Sequence, residues 1–446
     1  MALNPELRRY CWLELTPHRL IATPIVIGLI AALVALAGNE PLEPLAYGGL
    51  AGFAIGAALF GGYFAVNAVT EEVRERTWDT QRMSALTPAA FAFGKVFGAP
   101  VYGWYAGGWC LAIYLLTGPR LHGLDALIIA AAAVCSTVAL HATAVILSAM
   151  AARAGMTRNF APLFFILMMW SLALPWHMFE PGHGLLAWWG LPLPRLWFVF
   201  VSAALFAAWA LLGATRTFAA ELRVRQLPWA WPAFCLYVAV WVGGLLEAKT
   251  GGHASTVALV ALLFFAATGI GAYLMLLSER TGAMTVSRIL RTLEGELDGG
   301  ARRALQETPV WCVSLICAWL AALLLTALPW GTGGAALLNE VAGAGKLMPL
   351  ALAAMLLRDA GIYCIFALAR FPSRAVTVTL VYIVLLDAVL PLLMGAAGME
   401  TLAFAVFPLG RASAPGALVI FLVQAAVAWA IAVWRWRAAQ TLDLAT

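Results

Sequence analysis

Long apolar runs alternate with short polar stretches along almost the whole chain. A helix crosses the hydrocarbon core of a bilayer with about 20 predominantly apolar residues. On that rule twelve spans are expected, near residues 20–37, 46–68, 95–117, 125–150, 160–178, 195–215, 229–246, 254–277, 310–330, 347–369, 375–397 and 415–434. The pattern predicts an all-α, polytopic membrane protein. Residues 4–19 precede the first run and mix Tyr10, Trp12 and Leu13 with charges, which suits a helix lying in the headgroup plane. No A-x-A site follows a short apolar region, so the first run reads as an uncleaved span.

Two polar stretches stand out. In residues 70–95, Glu71, Glu72, Arg74, Glu75, Arg76, Asp79 and Arg82 crowd between two spans. Such charge belongs in water against the membrane surface. A short helix is expected over residues 77–87: Thr77 is placed to cap it, Asp79 suits its positive end, and Pro88 stops it. Trp78, Met83 and Leu86 offer apolar contact and Arg82 a charged one, and Trp and Arg are frequent interface anchors. In residues 278–308, Ile289, Leu290, Leu293 and Leu297 recur at helical spacing among Arg288, Arg291, Glu294 and Glu296. That spacing predicts an amphipathic surface helix.

Composition agrees with a membrane. Of 446 residues, 63% are hydrophobic and 11% charged, under half the charge of a soluble domain, about 25%. The net charge of +5 is spread over many loops rather than gathered in a patch, so no nucleic-acid partner is expected. With the N-terminus inside, 21 of the 27 Lys and Arg residues fall on the cytoplasmic side and five on the other, with Arg358 inside a span. That bias predicts both termini cytoplasmic. The seven cysteines are scattered and form no C-x-x-C, so neither a disulfide framework nor a metal site follows. His177, Glu180 and His183 share no helical register and are not expected to hold a metal.

The two halves echo each other. Glu6-Leu7-Arg8 recurs as Glu221-Leu222-Arg223, Glu75-Arg76-Thr77 as Glu279-Arg280-Thr281, and Arg153 and Pro175 match Arg370 and Pro391. Six spans per half is even, so two parallel repeats are expected, residues 1–217 and 218–446.

Chemistry is sparse. Gly345-Lys346 lacks the following Ser or Thr of a phosphate-binding loop, and neither G-x-S-x-G nor H-E-x-x-H occurs, so the chain reads as no enzyme. Polar residues inside spans are costly: His141 in the fourth, Arg358 and Asp359 in the tenth, Asp387 in the eleventh. Neighbours on a helix diverge by about 100°, so Arg358 is expected to pair with Asp387 rather than with Asp359.

Glu75-Arg76-x-x-Asp79-Thr80, then Thr87-Pro88, then Gly94-Lys95, resembles the signature of type-2 ATP-binding-cassette (ABC-2) exporter permeases, E-R-x-x-G-T, [ST]-P and G-K. R-T-W-D-T-Q-R at residues 76–82 resembles a variant seen in permeases annotated around copper-enzyme maturation. Asp79 stands where the family has Gly, and Gln81 and Arg82 replace apolar positions. The resemblance implies a permease of two fused six-span halves, driven by separate ATPase subunits, two of them, which bind the ATP and Mg; this chain would carry no cofactor. It implies a coupling role for Glu75, Arg76, Thr77, Trp78, Asp79, Thr80, Arg82, Met83, Leu86 and Pro88, with Glu279 and Arg280 as the second-half counterpart. In that half Thr308-Pro309 falls too late after Glu279-Arg280-Thr281 to match. A twelve-span secondary transporter is the rival. It lacks support from its usual G-x-x-x-D-R-x-G-R-R loop, which is missing, and the join at residues 216–228 is short.

Overall fold

A computed structural model of the chain describes residues 4–37, 40–84, 86–153, 184–250, 256–279, 282–294, 300–328, 345–368, 374–409 and 413–443. Among them ten helices have the length and apolar composition to cross a membrane. The protein is a predominantly helical, multi-pass membrane protein. It divides into two compact units, residues 1–186 with 192–226, and residues 187–191 with 227–446. The 217/218 boundary expected from the repeat falls inside a continuous helix, Arg195–Glu221.

The first unit opens with α1 (Pro5–Glu14) and α2 (Pro17–Ala37). Asn4 caps α1, its Oδ1 accepting from the Glu6 and Leu7 amides at 3.0 and 3.3 Å. Next, α3 (Leu42–Phe53), a π-helical segment (Ala54–Phe60), α4 (Gly61–Asn67) and α5 (Thr70–Arg74) follow one another. Together they cover 33 residues, about 50 Å at helical rise, against a hydrocarbon core of about 30 Å. The end bearing Glu71, Glu72 and Arg74 therefore projects beyond the lipid. At the α4–α5 turn Ser148 Oγ accepts from the amides of Val69 and Thr70 at 3.0 and 3.2 Å.

After α6 (Trp78–Arg82), the third expected span is split at Ala99-Pro100 into α7 (Pro88–Gly98) and α8 (Val101–His122). Tyr102, Tyr105, Gly103, Gly107 and Gly108 dilute the hydropathy of α8, which is not among the ten. α9 (Asp125–Arg153) packs along α10 (Arg195–Glu221), and α3 along α8. The fifth expected span, residues 160–178, lies outside the described residues, as do His177, Glu180 and His183.

One small element departs from the all-α architecture. β1 (Leu185–Trp188) and β2 (Leu191–Pro194) pair as a ribbon. Its turn, Trp189-Gly190, has positive φ at both residues, which matches the twist of paired strands.

The second unit contains α11 (Ala230–Thr250), α12 (Thr256–Ser278), α13 (Ala283–Leu293), α14 (Gly300–Glu307), α15 (Val310–Ala327) and α16 (Met348–Ala367). It continues with α17 (Ala375–Val384), a second π-helical segment (Leu385–Val389), α18 (Leu390–Ala396), α19 (Glu400–Val406) and α20 (Ala414–Asp443). Here α16 packs along α20 and α12 along α15. The amphipathic stretch forms two short helices, α13 and α14, and Leu297 lies outside the described residues. Thr308-Pro309 immediately precedes α15, as Thr87-Pro88 opens α7. α13 and α14 occupy the extra sequence that made the second Thr-Pro step look late.

Candidate functional site

The charged base of the first unit is organised by a buried lysine. Lys95, on α7, is 0% exposed. Its Nζ lies 2.9 Å from Glu6 Oε1, 2.9 Å from Gln81 Oε1 and 3.1 Å from the Tyr10 hydroxyl, and it also bonds Glu72 Oε1. Arg9 Nη2 donates to Glu6 Oε1 at 2.8 Å and to Glu72 Oε1 at 2.7 Å. Two carboxylates thus face two cations, so the formal charges cancel, as burial of ions requires. The residues come from α1, α5, α6 and α7. α1 approaches because α7 shows it Gly94 and Gly98; a Cβ there would sit 2.5 Å from the Glu6 side chain and 2.6 Å from Tyr10. Burial alone would raise the Glu6 carboxyl, but its bonds to Arg9 and Lys95 outweigh that and hold it below the usual range. Burial and the neighbouring Glu72 charge push the Tyr10 hydroxyl well up, so it stays protonated and donates to Glu72 at 3.2 Å.

α6 carries the residues expected to couple the chain to a partner. It covers five residues rather than the eleven expected. Thr77 is not its side-chain cap: its backbone is already helical, and its hydroxyl donates to the Glu72 carbonyl at 3.3 Å. Thr87 caps instead, accepting from the Ala90 amide at 3.2 Å where Pro88 begins α7. Trp78 is no surface anchor. It is buried, with ring centroids 5.8 Å from Phe91 and 6.3 Å from Phe218. Leu86 is half-buried against the same cluster. The reason is geometric: α6 is shorter than two turns, so an aromatic at its first position meets the adjacent span ends rather than solvent.

Arg82 also turns inward. Its Nη2 donates to the Glu221 carbonyl at 3.0 Å, at the end of α10. Arg153, closing α9, bonds the Glu221 carboxylate and the Thr217 carbonyl, the latter at 2.8 Å. What α6 and its approach leave exposed is Glu75, Arg76, Thr77, Asp79, Thr80 and Met83, the last at 80%. Arg76 holds a φ of 60°. That left-handed turn lets the Thr77 amide reach the Glu72 carbonyl at 2.9 Å and redirects the chain from α5 into α6.

In the second unit, Glu279 follows α12. Its Oε2 accepts from the Val310 amide at 2.9 Å at the start of α15, and its carbonyl accepts from the Tyr363 hydroxyl at 2.8 Å. Arg280 lies outside the described residues.

The intramembrane polar residues form two separate sites. Arg358 Nη2 lies 2.7 Å from Asp387 Oδ1, and its Nη1 donates to Gln424 Oε1 at 3.2 Å. It also pairs with its neighbour: Nε donates to Asp359 Oδ1 at 2.8 Å. The expectation that adjacency forbids this pair is corrected, because the long guanidinium stem folds back across the helix surface. Tyr273 donates to the other Asp359 oxygen. In the first unit, His141 is fully buried, with Nε2 2.9 Å from the Ala57 carbonyl in the first π-helical segment. Asp387 lies in the second such segment. His141 thus bonds a π-helical segment and Asp387 is part of one, and such segments recur at functional positions in helices.

Among the described residues no group of three or more His, Cys, Asp or Glu is arranged to hold a metal. No family model, curated protein or solved structure matches the chain. Sequence reasoning missed the Lys95 cluster. Its visible signals were Glu6, Arg9 and Tyr10 on one helical face and Gly94 and Gly98 four apart.

Proposed function

We propose that the chain is the membrane-spanning permease subunit of an ABC-2-type exporter in a bacterial-type cytoplasmic membrane, both termini inside. Separate ATPase subunits, two of them, bind the ATP and Mg and drive it. The observation that carries this reading is α6: a short helix that with its flanking residues exposes Glu75, Arg76, Asp79, Thr80 and Met83, and is tied on its other side to α5, α7 and α10. It has no ligand chemistry of its own, which suits a mechanical role. The fused, repeated halves draw support from packing. α3–α8 and α9–α10 are prominent pairs in the first unit, α12–α15 and α16–α20 in the second, the same order of expected spans.

The test is purification of the tagged full chain from its own membranes in mild detergent. The expected companion is a protein with a phosphate-binding loop whose ATP hydrolysis depends on this chain. Asp79→Arg with Met83→Asp should weaken its retention at least about tenfold, the loss of a small interface patch. Transport that survives ATP depletion yet collapses with a protonophore would overturn the reading. That result would favour the second one, an ion-gradient-driven transporter, which the buried Arg358–Asp359–Asp387 network supports.

A further inference from the structure

The geometry points to Gln81 and Arg82 as a pair of positioning residues that make α6 a two-armed lever; this rests on the proposed coupling reading. The two are adjacent, and each reaches a different part of the first unit. Gln81 accepts from Lys95 at 2.9 Å, which joins α6 to α7 and, through Glu6 and Glu72, to α1 and α5. Arg82 donates to the Glu221 carbonyl at 3.0 Å, and the Glu221 carboxylate is held by Arg153, so this arm ends on α9 and α10. Trp78 packs against both Phe91 and Phe218, whose own ring centroids are 4.9 Å apart, and serves the two arms as a pivot. Phe91 belongs to α7 and Phe218 to α10, so the pivot touches the same two helices that the arms grip. A push on the exposed Asp79–Met83 side would therefore move not only the spans flanking α6 in sequence but also the α9–α10 pair. Neither residue needs to touch the ATPase. Docking belongs to the exposed face and transmission to the inward one.

The arms can be cut separately without leaving a buried charge alone. Arg82 is partly exposed, and Gln81 is uncharged. Hydrogen exchange on the full chain in nanodiscs reads the mechanical links with no ATPase present. Arg82→Gln should speed exchange of residues 78–84 and 217–224 by about tenfold or more, with residues 5–14 unchanged. Gln81→Leu should speed residues 78–84 and leave 217–224 as they are. Unaltered exchange at 217–224 in Arg82→Gln overturns the second arm, and unaltered exchange at 78–84 in Gln81→Leu overturns the first.

In the complex, both variants should retain the ATPase that co-purifies with wild type yet lose most transport per ATP hydrolysed. Arg82→Lys, which can still donate to the Glu221 carbonyl, should recover most of it; a merely structural arginine would show no such split between binding and coupling. Normal coupling in both variants overturns the lever even if exchange changes. Loss of ATPase retention in Arg82→Gln also overturns it, because Arg82 would then be a docking residue. If wild type carries no ATPase at all, it is the proposed function that falls, and the exchange results alone decide the two links.

Discussion

A lysine ammonium taken out of water costs several kcal/mol unless its partners replace the lost hydration. Lys95 has Glu6, Glu72, Gln81 and Tyr10 around it, and Arg9 balances the second carboxylate. Lys95→Met should therefore destabilise the chain by about 3–5 kcal/mol, because it strands a buried carboxylate. Adding Glu72→Gln removes one charge of each sign, and the double variant should unfold at a higher temperature than Lys95→Met alone. Additive losses in thermal unfolding would show that the charges do not act as a unit. The Arg358 network obeys the same arithmetic with a different result. It holds one cation and two carboxylates, so Asp387→Leu leaves a balanced Arg358–Asp359 pair and should be mild. Arg358→Leu leaves two carboxylates and should be the worst of the set, with the Arg358→Leu, Asp387→Leu double between them. Thermal stability of the three variants in detergent ranks them directly. Had Asp387 been the sole partner, its removal would have been the severe change.

At the scale of elements, α1 is the informative case. It is held to α7 by close approach at Gly94 and Gly98 and by ions that include Glu6. The folded Glu6 carboxyl titrates below its unfolded value, so the stability it lends is complete above about pH 4.3 and disappears as pH falls through the folded value. Exchange protection of residues 5–14 should persist at about pH 5 and fade only once pH falls below the usual glutamate range, a dependence that Glu6→Gln should abolish. Persistence of the pH dependence in Glu6→Gln would assign it to another group. The spans were legible because lipid selects for composition, and composition needs no partner to be read. The cluster at the base was not, since Lys95 lies 23 residues from Glu72 and 85 from Tyr10. A Gly-Lys step at the start of an apolar run looks like a span boundary, and only the packing of α1 makes it an interior charge. Trp78 misled for a related reason: in a polar segment an aromatic reads as an anchor, whereas here it packs onto the Phe91–Phe218 contact of α7 and α10. The ribbon at residues 185–194 was hidden by Pro192 and Pro194, residues that argue against a strand when only sequence is in view.

At the scale of the molecule, the internal contacts fix which helix ends share a side of the membrane. α9 has 29 residues, about 44 Å at helical rise, so Asp125 and Arg153 lie on opposite sides. Arg153 binds Glu221, and the Glu221 carbonyl binds Arg82, which places α6 on the Arg153 side and Leu124 on the other. In the second unit Glu279 joins the end of α12, the start of α15 and, through Tyr363, the last turns of α16. The crossing from Ala375 to Ala396 then carries the chain to the opposite side, where Met399 is exposed. The expectation that this side is inside rests on the basic residues, 21 of 27 of which fall on the side of α6 if all twelve expected spans cross. A single cysteine at Met83, Leu124, Leu293 or Met399, all exposed positions, can be introduced into a chain whose own cysteines are replaced. A membrane-impermeant maleimide added to intact cells should modify Leu124→Cys and Met399→Cys, and should reach Met83→Cys and Leu293→Cys only after permeabilisation. The reverse pattern would invert the orientation and remove α6 from any cytoplasmic ATPase. Labelling of Met83→Cys and Leu124→Cys from the same side would break the chain of contacts from Arg82 through Glu221 and Arg153 on which the placement rests.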